Sequence, residues 1–346
     1  MKIQKFTPRI LLVGVGQICQ QAHIPVIQNT DASVVQVIEP NLTMKSKIAN
    51  LFPRAKWSTS MNNIVQDVNC AIISSPTALH AEHTFQLLKR GLHVLCEKPL
   101  ATSKDDGKNL IEEAKKNKVI LQVGYYRRFH PASSAIKDII KNSSLGICQR
   151  ILILGGHIDD RSGPPSLMDV KLSGGGCTMD IGSHIIDRLF SWFNDLHLDY
   201  YADDDHGSRI ESNALIRLST TNKKFFVPIT ILLSRSTPLG YKLICQFEKG
   251  LIECELNLGH QLLIYHKSLI VLDEERSFVS TLNLSREHDY LFYFKKQWDE
   301  FINQINGTHS TYSSLIDALN TTDILEKCYR NRQQLDIPWD INPTKL

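Results

Sequence analysis

The first 124 residues alternate short β-rich runs with helical stretches, and few folds accommodate that alternation. Strand-like runs fall at 10–13, 34–38, 70–74, 93–96 and 119–123, while 77–90 and 104–117 read as helices. Strands that alternate with helices build a parallel sheet wrapped by helices. Gly91 stands where a helix C-terminal cap is expected, and Thr102-Ser103 offers hydroxyls to start the next helix. After Val123-Gly124-Tyr125-Tyr126 the pattern changes. A helix over 130–142 leads to a strand over 147–154, a Gly/Pro-rich loop over 159–176 and a helix from 180 to 193. Strands then follow at 213–218, 225–233, 242–247, 251–256 and 261–265, joined by short turns such as Glu248-Lys249-Gly250. Short turns between consecutive strands favour an antiparallel sheet. Two amphipathic helices, 289–306 and 313–332, close the pattern. The expected fold is therefore α/β over 1–124, then an α+β domain over 125–346 with a large, mostly antiparallel open sheet, whose closing helices pack back on the first domain.

Composition excludes several classes of function. A chain of 346 residues, 42% hydrophobic, exceeds the usual limit of one core. The formal charge of +3 is dispersed without a basic run, so neither nucleic acid nor an anionic membrane is an expected partner. No apolar run approaches the ~20 residues of a membrane span. Met1-Lys2-Ile3-Gln4-Lys5 leads into a strand instead of a signal peptide, and the expected location is the cytoplasm. The eight cysteines are scattered without a C-x-x-C pair, which fits reduced core residues and excludes the common zinc and redox motifs.

Three segments carry chemistry. Gly14-x-Gly16-x-x-Cys19 follows a strand and opens a helix, the context of a dinucleotide fingerprint, with Cys19 in place of the third glycine. Glu39 ends the next strand, where a carboxylate would bind ribose hydroxyls. Alone, the pattern equally describes a glycine turn beside a surface Glu. Cys96-Glu97-Lys98-Pro99 lies at the C-terminal end of a parallel strand, the edge where open α/β sheets bind ligands; alone, Lys98 reads as a loop lysine. Gly174-Gly175-Gly176 forms a flexible run ahead of Asp180 and His184, which share a helix face with Asp187 one turn on. That trio suits proton transfer first, a structural histidine second and a metal third, since no Cys/His cluster completes a metal site. His80 and His83 lie on the helix after Ser75-Pro76-Thr77, and at least one reads as a plain helix-face histidine.

In combination these pieces resemble the glucose–fructose oxidoreductase, inositol dehydrogenase and rhizopine-catabolism (Gfo/Idh/MocA) family. The resemblance rests, in order, on Gly14-Val15-Gly16 with His23-Ile24-Pro25, Ser75-Pro76-Thr77 with His80, Glu97-Lys98-Pro99, Arg127-Arg128-Phe129, and Gly174 through His184. It implies a Rossmann domain that binds NAD or NADP through Gly14, Gly16, Gln17, Ile18, Glu39, Ser75, Pro76, Thr77, His80, Glu97 and Lys98. It also implies Lys98, Asp180 and His184 as the catalytic group, no metal, and a second domain whose open sheet often makes a homodimer or homotetramer.

The function expected is hydride transfer between the nicotinamide and a secondary hydroxyl of a sugar, cyclitol, sugar phosphate or nucleotide sugar. Lys98 or His184 takes the hydroxyl proton, the other positions the oxygen, and Asp180 orients His184. NAD is expected over NADP, because Glu39 would repel a 2′-phosphate. Arg127, Arg161 and Lys171, with Arg128, point to an anionic substrate, although Asp159, Asp160 and Asp169 can neutralise them locally. Two alternatives stand: an NAD-binding sensor without catalysis, and a glycoside hydrolase that uses NAD transiently.

Overall fold

The computed structural model describes residues 6–158, 166, 169–205, 210–256, 261–266, 279–284, 290–310 and 314–335. In chain order the first elements are β1 (Arg9–Val13), α1 (Ile24–Gln28), β2 (Ser33–Ile38), α2 (Lys45–Leu51), β3 (Lys56–Ser58), β4 (Cys70–Ile73), α3 (His80–Lys89), β5 (His93–Cys96), α4 (Lys104–Asn117) and β6 (Leu121–Val123). There follow α5 (Pro131–Asn142), β7 (Cys148–Gly156), α6 (Val170–Ser173) and α7 (Ser183–Trp192). The strands β8 (His197–Asp203), β9 (Asn213–Asn222), β10 (Phe225–Ser234), β11 (Gly240–Phe247), β12 (Gly250–Glu255), β13 (Gln261–His266) and β14 (Val279–Asn283) come next. Last are α8 (Tyr290–Ile305), α9 (Leu315–Arg330) and β15 (Gln333–Gln334).

The chain divides into two compact units, one of 1–129 with 171–174 and 287–323, the other of 130–170, 175–286 and 324–346. In the first, a parallel sheet runs in the order β3-β2-β1-β4-β5-β6. A parallel sheet needs cover on both faces, which is why β4 is apolar at every position and β5 at all but His93. One face carries Leu11, Val13, Ile73, Val94 and Cys96 against Leu87, Leu88 and Leu110 of α3 and α4. The other packs Ile10, Leu12, Ile72 and Leu95 against the first helix and against Phe294, Trp298 and Phe301 of α8, supplied from far downstream. Gln122 of β6 donates to the Gln297 carbonyl at 2.9 Å, tying α8 to the sheet edge.

In the second unit the described strands form a sheet in the order β14-β13-β12-β11-β7-β10-β9-β8-β15. Most pairs are antiparallel, but β7 inserts between β11 and β10 and runs parallel to β10. Its core face sets Ile151, Ile153, Ile229, Ile231, Leu243 and Cys245 against Ile136 of α5 and Ile185 and Leu189 of α7. Trp192 donates its indole N–H to the Ser133 carbonyl at 3.0 Å, locking α7 to α5. All eight cysteines are buried and unbridged. No helix among the described residues is long and apolar enough to cross a membrane.

Candidate functional site

The carboxyl ends of β2, β1, β4 and β5 lie side by side, and each delivers one part of a site. Gly14 leaves β1 with φ +81°, and a Cβ there would fall 2.7 Å from the Ser75 nitrogen, so the turn lies directly on the loop after β4. Only glycine takes both that dihedral and that approach at little cost. Gly16 meets nothing within 4 Å of a built Cβ, which leaves open space over the start of the helix. The helix that follows contains a π turn, Cys19–His23, beginning at the cysteine that replaces the third glycine. Cys19 is fully buried, and desolvation pushes its thiol up to about 12, so it acts as a small hydrophobe at the helix–strand contact.

Glu39 follows β2, and its two carboxylate oxygens accept the Val15 N–H at 2.9 Å and the Asn41 N–H at 2.8 Å. Lys47 donates to Gln20 Oε1 at 2.5 Å, bringing one cation to the fingerprint helix. After β5, Glu97 is 6% exposed and accepts the His23 Nε2–H at 2.8 Å and the Lys98 N–H at 3.2 Å. Gly124 leaves the room this carboxyl needs, since a Cβ there would lie 3.1 Å from Glu97 Cδ. The Lys98-Pro99 peptide is cis. His23 thus fixes Glu97, and Glu97 fixes the backbone that presents Lys98; the sequence offered His23 only as part of a motif.

His80 is 2% exposed and donates Nδ1–H to the Pro99 carbonyl at 2.7 Å and Nε2–H to the Ser75 carbonyl at 2.9 Å. Two carbonyl acceptors require a proton on both nitrogens, the imidazolium form. Burial pulls its pKa down, but the Cys96 sulfur and the two carbonyls outweigh this and push it up to about 9. His80 therefore ties the Ser75-Pro76-Thr77 loop to the Lys98-Pro99 loop. His83 accepts or donates at Ser75 Oγ, 3.0 Å away.

The second unit holds Asp180 and His184. Asp180 lies in a π turn, Thr178–Gly182, that runs directly into α7, and His184 is 5% exposed. Arg235, which follows β10, donates to Asp180 Oδ2 at 3.0 Å. No sequence signal pointed to that arginine, because its pairing depends on β10 ending beside the start of α7. The glycine run is closely packed at two of its three positions. Gly175 and Gly176 are buried, and added Cβ atoms would fall 2.1 Å from Tyr329 Oη and 2.0 Å from the Glu211 carbonyl oxygen. Asp187 is buried at 1% exposure in α7. Among the described residues no group of three His, Cys, Asp or Glu side chains can hold a metal ion.

Of the cations expected to face substrate, Arg127 is half-buried with its guanidinium 5.9 Å from the Tyr126 ring centre, and Lys171 is exposed on α6. Arg161 lies outside the described residues. Arg128 is 6% exposed and pairs with Asp317 at 2.9 Å, a packing role.

Comparison with known proteins gives a family match over the first third of the chain and a fold match over nearly all of it. The sequence model of the "Oxidoreductase family, NAD-binding Rossmann fold" matches residues 8–125. The chain is 30% identical over 192 residues to 1,5-anhydro-D-fructose reductase of Ensifer adhaerens, covering 53% of this chain and 56% of the relative. It is 26% identical over 185 residues to D-glucoside 3-dehydrogenase of Escherichia coli, covering 52% of each. The chain thus matches about half the length of these relatives. Among solved structures, the 3-ketoreductase KijD10 of Actinomadura kijaniata, in complex with NADP and TDP-benzene, superposes with a TM-score of 0.80 at 15% identity, over 96% of this chain and 100% of that one.

Proposed function

We propose that this chain, whose residues 8–125 match the oxidoreductase family with an NAD-binding Rossmann fold, is a nicotinamide-dependent dehydrogenase or reductase of the Gfo/Idh/MocA type acting on a secondary hydroxyl of a sugar-type substrate. The observation that carries the reading is the strand-end row: the Gly14 turn, Glu39, the Ser75 loop and Lys98 stand on one edge of four adjacent parallel strands, where open α/β sheets bind dinucleotides. The residues present fit the coenzyme, with open space at Gly16 and helix-start amides for a pyrophosphate.

Bound NAD(H) supplies the hydride acceptor or donor. In the oxidative direction the substrate loses hydride from carbon and a proton from oxygen, and a carbonyl forms. Lys98 of the first unit is one candidate for taking the hydroxyl proton and His184 of the second is the other. Asp180, held by Arg235, orients His184. NAD is preferred over NADP, since Glu39 holds a carboxylate against the glycine loop. Arg127 and Lys171 favour an anionic substrate, a sugar phosphate or nucleotide sugar.

The second unit's sheet supports a homo-oligomer. Its face away from the core sets Leu152, Leu154, Leu232, Ile244, Leu251 and Leu263 half-buried around one Lys242–Glu253 pair. Eight unbridged cysteines fit the reducing cytoplasm.

The test is a panel of free sugars, cyclitols, sugar phosphates and nucleotide sugars, read by NADH fluorescence at low and high salt. Coenzyme reduction that disappears in Lys98→Met, with NAD binding kept, supports the reading. Binding without turnover on any substrate favours a sensor, and turnover with NAD recovered unchanged favours the hydrolase.

A further inference from the structure

The glycine motif has an unassigned partner. Glu211 lies in the segment before β9, is 1% exposed, and its carboxylate faces the start of the turn that carries Asp180. Its Oε2 accepts the Gly176 N–H at 3.0 Å, and its Oε1 accepts the Thr178 N–H at 2.8 Å and the Tyr329 hydroxyl at 2.9 Å. Its own backbone carbonyl accepts the Cys177 N–H at 3.0 Å. Three consecutive amides that open the Asp180–His184 helix are therefore bonded to one residue from another element. Those amides belong to the group that a helix cannot satisfy internally, and a carboxylate there also complements the positive end of the helix dipole.

We infer that Glu211 is a positioning residue: it caps and fixes the helix start on which Asp180 and His184 stand. The inference rests on the oxidoreductase reading for its functional consequence. The surroundings hold Glu211 as firmly as it holds the helix. Gly175 and Gly176 have no Cβ because Tyr329 and the Glu211 backbone occupy those positions. Arg332 pairs with Asp203 at 2.7 Å and with Asp205, and its Nη2 lies 3.8 Å from Glu211 Oε2, so a cation stands behind the cap. Tyr201 Oη meets Thr178 Oγ1 at 3.0 Å, fixing the capped turn from the other side. The glycine triplet and Glu211 thus form a single device, in which glycine allows the approach and the carboxylate fixes it.

Glu211→Gln is nearly isosteric, but its amide nitrogen must turn a donor toward either the Gly176 N–H or the pair on Oε1. Tyr329→Phe removes one bond and leaves both backbone caps. Two measurements are made without coenzyme: hydrogen exchange of 176–184, and the titration of His184 by NMR. Expected in Glu211→Gln are faster exchange confined to 176–184 and a displaced His184 titration, with smaller changes in Tyr329→Phe. In turnover, kcat falls about 10- to 100-fold in Glu211→Gln, as for a catalytic group misplaced by ~1 Å, while the KM for coenzyme stays put. Unchanged exchange and His184 titration in folded Glu211→Gln overturn the inference, as does equal loosening in Tyr329→Phe. These readouts decide it whether or not the wild-type chain turns a substrate over; wild-type inactivity across the panel overturns the oxidoreductase reading alone.

Discussion

At the scale of single residues, the two fingerprint glycines are needed for different reasons. Gly14 combines φ +81° with backbone atoms 2.7 to 2.8 Å from a built Cβ, so Gly14→Ala strains the fold itself. Thermal or urea unfolding is expected to show a loss of about 1–3 kcal/mol. Gly16 has free space at its Cβ, so Gly16→Ala should leave unfolding within ~0.5 kcal/mol of wild type and instead weaken coenzyme binding. Equal Tm losses in the two variants would show that Gly16 is also a structural glycine. Lys98→Met should lower kcat by about 10²–10⁴-fold, the usual cost of losing a positioned acid or base, with NAD affinity retained by titration. The fingerprint, Glu39 and Lys98 were legible because each depends on a local dihedral or on its place at a strand end. Arg235, Glu211 and the His23–Glu97 pair were not, since each meets its partner over dozens of residues of sequence.

At the scale of elements, His80 makes two loops depend on one proton. Its folded pKa of about 9 lies above the ordinary 6.5, so the protonated form is favoured by folding. The stability it contributes is fully present below pH 6.5 and is lost as pH rises through about 9. Wild type should therefore lose thermal stability between pH 7 and 9.5 more steeply than His80→Gln, by scanning calorimetry. Parallel pH curves would place the shift elsewhere. Most helices and strands of the first unit were readable from apolar periodicity and caps, as with Ser103, whose hydroxyl accepts the Asp106 N–H at 3.2 Å; the short α2 and β3 were not. The π turns at Cys19–His23 and Thr178–Gly182 were not, because apolar periodicity does not distinguish a single π turn from the α-helix it adjoins.

At the scale of the whole molecule, coenzyme that binds the folded chain should raise its stability by about 2.7 kcal/mol at a concentration 100 times Kd. NAD should produce this Tm rise at lower concentration than NADP; the reverse order would shift attention from Glu39 to Lys47. The half-buried outer sheet face sets a second expectation. Leu152→Asp on that face should shift the chain to a smaller species in sedimentation while leaving each unit folded.

The sequence by itself determined the α/β architecture, the antiparallel character of the second sheet, the dinucleotide edge, and Lys98, Asp180 and His184 as candidates. Each of these is encoded within one turn or one strand, by periodicity or by glycine. Tertiary structure alone decided that β7 runs parallel to β10 and that Arg128 is a packing residue. It also decided that Gly175 and Gly176 are closely packed, because Tyr329 and Glu211 fill the space a Cβ would take. Such close approach is fixed by packing between distant segments, on which local sequence is silent.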